Sequence, residues 1–101
     1  MKLYRYTLLN QDGTTKFLGI SKKKDFKEFY KILNCSTIEH IPHCYYFEKL
    51  GHVEFWGDEE ARFNSENHRN PHFKVLKDIN GEEWDVVGNI IKEERVENKA
   101  N

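Results

Sequence analysis

The sequence predicts an α+β domain, in which a mainly antiparallel sheet of about five to six strands carries one amphipathic helix on one face. Short segments rich in β-branched and aromatic residues alternate with turn residues, a pattern typical of antiparallel strands. Only residues 22–33 place apolar side chains at helical spacing. The 101 residues suffice for one domain, which we assign to residues 1–94.

The first two strands are expected to form a hairpin. Residues 2–9 and 14–20 have the composition of strands. The turn between them contains Gly13, which can adopt a positive φ.

The predicted helix covers residues 22–33, with Ser21 as the N-cap. Its hydroxyl can accept a hydrogen bond from a free backbone N–H of the first turn. The apolar stripe of the helix consists of Phe26, Phe29, Tyr30 and Leu33. Asn34 can end the helix in the left-handed conformation. The lysines at 22–24 lie where the helix dipole prefers anions, and we interpret them as a solvated charge run.

A second hairpin is predicted in the middle of the chain. Residues 37–41 form a short strand that Pro42 ends, and residues 43–51 indicate a packed loop or a single helical turn. Residues 52–56 are the next strand, which returns at residues 62–63 after an acidic turn.

Two further strands, at residues 73–77 and 84–92, are joined by a turn with a strong Asn-Gly signal at Asn80. Gly88, within the most apolar run, indicates a bulge or a close approach of two backbones. From residue 93 the chain is charged, and we expect a frayed tail with residues 95–101 outside the domain.

Composition and sequence pattern disfavour several classes of protein. A formal net charge of −1 gives no electrostatic footprint for nucleic acid. The N-terminus lacks the apolar run of a signal peptide, and no apolar stretch approaches the roughly 20 residues of a membrane span. We therefore expect Cys35 and Cys44 to be reduced thiols in a soluble, intracellular, cytoplasmic protein.

A metal site is the first candidate, because several histidine and cysteine residues lie close together in the sequence. The residues of this cluster are Cys35, His40, His43, Cys44 and His52. They are the right ligand types for zinc, but their spacing matches no zinc ribbon or finger. Pro71, between His68 and His72, opposes a helical histidine pair. We therefore predict structural or surface roles for them, with no metal ligand and no cofactor.

The acidic turn brings together Asp58, Glu59 and Glu60. Their oxygens suit a divalent cation, and Trp56 can supply the apolar wall that a general acid requires. A polar tip that keeps the sheet edge soluble is the favoured interpretation. The sequence contains neither a Gly-rich phosphate loop nor a nucleophile elbow, and we assign no catalytic residue.

The loop at residues 64–72 concentrates Asn, His and Arg side chains. Asn and His can recognise the edge of a base or sugar, and Arg69 can bind a phosphate or carboxylate through two hydrogen bonds. The predicted ligand-binding residues are His68, Arg69, Asn70, His72 and, as a stacking platform, Trp56. A plain surface connection competes with this hypothesis, since Asn and Ser also stabilise turns.

The order of the segments carries a resemblance. A helix leads to a Cys-containing turn and the short strand Ile38-Glu39. A Val-Glu-Phe strand then ends in the acidic turn, an Asn-bearing loop follows, and Asp-Val-Val-Gly-Asn-Ile-Ile closes the order at residues 85–91. Residues 24–94 thereby resemble a family of small domains of unknown function from bacteriophages and large DNA viruses, departing from it at Ala61, where the family usually has Gly. The resemblance implies a virus-like accessory protein, acting in the host cytoplasm, and brings no catalytic residues.

We predict from these features a small non-catalytic binding or regulatory protein that contacts a protein partner through residues 58–60 and the loop 64–72. One alternative is a binder of a small anionic ligand, such as a nucleotide, held by His68, Arg69 and His72. Another is a metal-dependent hydrolase that uses the carboxylates of residues 58–60. A homodimer, through an edge strand or the aromatic segment 45–47, also stays open.

Overall fold

The computed structural model describes residues 2–49 and 51–96. Its elements are β1 (Leu3–Leu9), β2 (Thr15–Ser21), α1 (Phe26–Leu33), β3 (Ile38–Ile41), β4 (Val53–Asp58), β5 (Leu76–Lys77), β6 (Glu83–Trp84) and β7 (Ile90–Val96). Within these residues, five strands form an antiparallel sheet in the order β2-β1-β7-β4-β3, and β5 pairs with β6 separately. The predicted α+β class is confirmed.

The last strand, β7, occupies the centre of the sheet. It lies between β1 and β4, so that Tyr6 is in register with Glu93, and Trp56 with Ile91. Strands from opposite ends of the chain are therefore direct neighbours, and the sheet depends on long-range contacts.

The two faces of the sheet carry separate cores, because successive side chains of a strand point to opposite faces. On one face, Phe29 of α1 packs on Tyr6 and Ile91, and all three are buried. Irregular segments from the second half of the chain contribute to the core of the other face. The buried residues of that core are Leu9, Ile41, Val53, Phe55, Phe73, Val86 and Ile90. Each large apolar side chain buried in this way stabilises the fold by about 1.5–3 kcal/mol.

The helix is shorter than predicted. It begins at Phe26, because Ser21 is the last residue of β2 and Asp25 is the N-cap. The Asp25 carboxylate accepts a hydrogen bond from the backbone N–H of Glu28 at 3.2 Å. An acidic cap also suits the positive end of the helix dipole, and the lysines at 22–24 precede the helix. The predicted end is confirmed, with Asn34 in the left-handed conformation at φ 51°.

The predicted return of the second hairpin at residues 62–63 is wrong. Ala61–Phe63 is a 3-10 turn, and β4 pairs with β3 and β7 instead. The Asp58 carboxylate accepts from the backbone N–H of Glu60 at 2.9 Å, which supports a turn directly after β4. Of the two alternatives expected for residues 43–51, a packed loop or a helical turn, the structure has a helical turn at the start, the 3-10 turn His43–Tyr45.

The predicted C-terminal strands are shortened and divided. The strand expected at 73–77 is Leu76–Lys77, and the one expected at 84–92 separates into β6 and β7. The division contains Gly88, which has a φ of +84°. Its backbone N–H donates a hydrogen bond to the carbonyl of His68 at 3.0 Å, which agrees with the predicted close approach of two backbones. Pairing with β1 extends β7 to Val96 in place of the fraying expected from residue 93. Residues 97–101 lie outside the described residues.

Cys35 and Cys44 are free thiols, as the sequence predicts. Burial raises the pKa of the Cys35 thiol, and the negative charge of Asp58 raises it further. Because the thiolate is the nucleophile, both effects disfavour nucleophilic chemistry at this residue. Within residues 2–49 and 51–96, no helix is both long and apolar enough to cross a membrane.

Candidate functional site

The acidic segment 58–60 follows β4 and is only partly free for binding. The carboxylate of Asp58 accepts two hydrogen bonds, one from the backbone N–H of Glu60 at 2.9 Å and one from the hydroxyl of Thr37 at 3.4 Å. Glu59 and Glu60 are exposed. Asp58 therefore holds the turn in place, while its two neighbours present their carboxylates to solvent.

A cavity of about 250 Å³ lies beside the acidic segment, between β3 and the chain that precedes β7. Its charged lining residues are Glu39, Asp58, Glu59, Arg62 and Asp85. Burial raises the pKa of Glu39, and the negative charges of Glu59 and Asp58 raise it further, against an opposing effect of Arg62. The guanidinium of Arg62 is 2.7 Å from the Asp85 carboxylate. Among the described residues, four carboxylates and one cation therefore line the cavity, and that cation is already paired.

Phe63 directly follows Arg62, which lines this cavity. It ends the turn Ala61–Phe63 and is 88% exposed. Ala61, at the start of the same turn, is buried, and its carbonyl accepts from the side-chain amide of Asn67 at 2.9 Å. The sequence predicts Phe63 only in the strand that returns after the acidic turn, because the exposure of a single Phe beside a turn cannot be read from its neighbours.

The loop 64–72 is anchored by Asn70, which is fully buried. Its amide nitrogen donates to the carbonyls of Leu9 at 2.9 Å and Gly88 at 2.8 Å, and its oxygen accepts from the backbone N–H of His72 at 2.9 Å. These bonds use both the donor and the acceptor of the amide within the protein. Asn70 therefore positions the loop from inside.

The remaining predicted ligand-binding residues of the loop lie at the surface. His68 and Arg69 are exposed neighbours, and a backbone bridge joins Arg69 to Val87. The half-buried His72 donates from Nε2 to the carbonyl of Thr14 at 3.2 Å. His68 and Arg69 are thus both exposed, with Nδ1 of His68 3.1 Å from the backbone carbonyl of Arg69, whereas His72 turns toward the first hairpin.

Trp56 lies on the face of the sheet that α1 covers. The core next to the loop 64–72, which contains Phe73 and Val86, is on the opposite face. The Trp56 ring packs against Phe26 and Phe29 of α1, with centroid distances of 5.3 and 6.0 Å. Its neighbour Phe55 points into the other core. The structure therefore does not bring Trp56 together with His68 and Arg69.

Two imidazoles and a carboxylate converge on the Trp56 face, at the edge formed by β3 and β4. His40 hydrogen-bonds to Glu54, and Nε2 of His43 lies 3.4 Å from the same carboxylate. Burial raises the pKa of Glu54, but the hydrogen bond from His40 and the histidine charges outweigh it, and the pKa lies below its usual range. Both histidines belong to the predicted cluster of ligand types, whereas Glu54 does not, because only the pairing of β3 with β4 brings it to them.

Comparisons with protein-family models, with curated proteins and with solved structures found no match to this chain.

Proposed function

We propose that the protein is a small binding protein whose partner is another protein. The proposed contact is the Phe63 surface, which we define as residues 58–60, the turn Ala61–Phe63 and the exposed side chains of the loop 64–72. The observation that supports it best is the 88% exposure of Phe63 on an anchored turn. A virus-like accessory role, which the resemblance implies, belongs to the same proposal.

An exposed aromatic side chain on a fixed backbone is well suited to the centre of an interface. Aromatic residues are enriched there and contribute a large share of the binding energy. Burying one Phe contributes about 1.5–3 kcal/mol. The buried Ala61 and its bond to Asn67 hold the turn already in the free protein, so less ordering free energy is lost on binding.

The charges around Phe63 favour a partner with basic side chains. Glu59 and Glu60 are exposed, and the raised pKa of Glu39 reflects burial together with the negative field of its neighbours. Arg62 does not cancel this field, because it is paired with Asp85. This negative field would attract Lys or Arg side chains of a partner and so accelerate association, and it would repel proteins with acidic surfaces.

Site-specific photo-crosslinking tests this proposal. A photo-reactive benzoylphenylalanine replaces Phe63 in one protein and Phe17, which is 62% exposed on β2, in a control. In extracts of the cells that produce the protein, crosslinking from position 63 should yield a discrete product that contains a second, different protein. Crosslinking from position 17 should not yield that product. Replacing Glu59 and Glu60 by Lys should reduce the yield of that product.

Two outcomes would contradict the proposal. The same products from both positions would show non-specific contact of exposed aromatic residues. A product that contains only a second copy of this chain would replace the heterologous partner by a homodimer.

A small anionic ligand, such as a nucleotide, is the second candidate, because His68 and Arg69 are consecutive exposed residues of the loop. A ligand at 100 times its dissociation constant adds about 2.7 kcal/mol to the free energy of unfolding. The resulting thermal shift should disappear in Arg69→Ala and persist in the control Arg5→Ala, at an exposed position of β1. A hydrolase based on residues 58–60 is less favoured, since Asp58 is engaged in holding the turn.

A further inference from the structure

We propose that His40, His43 and Glu54 form a binding site for a divalent transition metal ion, and that Zn²⁺ matches it best. The inference is independent of the proposed protein partner. It concerns two histidines for which the sequence alone predicts structural or surface roles.

The donor atoms are close enough to share one ion. Each of the three side chains offers one ligand atom, and these atoms lie within 4.8 Å of one another. Ligands about 2.0–2.1 Å from a tetrahedral Zn²⁺ are roughly 3.4 Å apart. Nε2 of His43 and the Glu54 carboxylate are already 3.4 Å apart. His40 and Glu54 are in hydrogen-bond contact and need to separate slightly, which half-exposed side chains can do by small rotations.

Three different backbone features deliver these ligands. His40 lies on β3, His43 opens the 3-10 turn that follows Pro42, and Glu54 lies on β4. In the pairing of β3 with β4, His40 is in register with Trp56, which leaves Glu54 diagonally opposite and on the same face. The fold of this edge, rather than a local sequence motif, therefore creates the site.

Aromatic contacts orient both imidazoles. The His40 ring meets Trp56 edge to face, with a centroid distance of 5.3 Å, and His43 meets Phe55 in the same way at 5.8 Å. The ring of Trp56 is fixed in turn by Phe26 and Phe29. Oriented ligands lose less conformational freedom when an ion binds.

The donor set selects the class of ion. Two imidazole nitrogens and one carboxylate oxygen suit Zn²⁺ and its first-row neighbours, whereas Ca²⁺ and Mg²⁺ prefer sites made of oxygen ligands. The side chains are 43–45% exposed, so solvent can occupy a fourth position. Three protein ligands and one open position describe a site where zinc activates water or binds a further group.

Titration of chelator-treated protein tests the proposal. Calorimetry with Zn²⁺ should give one ion per chain. Glu54→Gln and His43→Gln should each weaken binding by at least about tenfold, the lower end of what even outer-shell substitutions cost. The matched controls are His52→Gln and His68→Gln, which change exposed histidines outside the cluster, and Cys44→Ser, which removes the thiol next to His43. These controls should bind as the unsubstituted protein does.

Two spectroscopic readouts assign the ligands independently. Co²⁺ should produce visible absorption that Glu54→Gln reduces. Zn²⁺ should shift the NMR signals of the His40 and His43 rings and leave those of His52, His68 and His72 in place. Circular dichroism establishes that each variant is folded.

Several outcomes would overturn the site. One is absence of Zn²⁺ binding up to millimolar concentration, which would leave a surface hydrogen-bonded cluster only. Another is equal weakening by His52→Gln or Cys44→Ser, which would place the ion on other ligands. A third is a stoichiometry of one ion per two chains, which would make the ion a bridge between copies.

Discussion

The phenol of Tyr6 donates a 2.7 Å hydrogen bond to the carboxylate of Glu93 in the interior of the sheet. Tyr6 is 0% and Glu93 2% exposed, and the two residues are in register on β1 and β7. Trp56 donates from Nε1 to the same carboxylate at 3.4 Å, and the ammonium of Lys23 lies 4.0 Å away. An ionised carboxylate is tolerated in such a position only when partners compensate its lost hydration.

Tyr6→Phe should lower the free energy of unfolding by about 1.5–3 kcal/mol, the usual contribution of a hydrogen bond to a charged group. Denaturation in urea measures this change. A double-mutant cycle with Glu93→Gln separates the pair from its surroundings and should give a coupling free energy of about 1 kcal/mol or more. Additive effects of the two substitutions would show that the bond contributes little.

The same tyrosine should make the protein sensitive to alkali. Burial raises the pKa of Tyr6 and the Glu93 carboxylate raises it further, although a hydrogen bond from the Lys24 backbone N–H opposes them. Because the unfolded chain then releases the proton first, the stabilisation is present below a pH of about 10 and is lost above it. Above that pH, the unfolding free energy should fall more steeply than in Tyr6→Phe, by about 1.4 kcal/mol per pH unit. Parallel curves for the two proteins would contradict this expectation.

Asn70 is expected to matter for stability. Asn70→Ala removes the hydrogen-bond donor to the carbonyls of Leu9 and Gly88 and the acceptor of the His72 backbone N–H. Leaving a buried polar group without its partner costs about 1–3 kcal/mol. We expect a loss of about 3 kcal/mol or more, measured by chemical denaturation. Asn80→Ala, at an exposed turn position, is the matched control and should change stability by no more than about 0.5 kcal/mol. Equal effects would mean that the buried amide is not required.

Gly88→Ala should be more harmful than Gly81→Ala. Both glycines have a positive φ, +84° and +81°, so an added Cβ strains each backbone by about 1–2 kcal/mol. Only at Gly88 would the new Cβ meet another atom at 3.3 Å, the Cβ of Ala61; at Gly81 nothing lies within 4 Å. Thermal denaturation of the two variants should therefore differ. Similar losses would show that backbone strain alone explains both.

The sequence determined those features that depend on neighbours within a few residues. The left-handed end of the helix at Asn34 and the turn before Gly81 are local properties, and the sequence predicts both correctly. The start of the helix was not, because Ser21 and Asp25 are both good caps. The pairing of Ser21 with Tyr4 in the sheet decides between them.

Only the tertiary structure decided which side chains act together. Asn70 has the chemistry of a ligand-binding residue, but burial between β1 and the Gly88 segment gives it a structural role. His40 and Glu54 are 14 residues apart and meet because β3 pairs with β4. Strand pairing and burial result from competition among segments that are distant in the chain. The pairing that buries the most apolar surface is favoured. No local pattern contains the outcome of that competition.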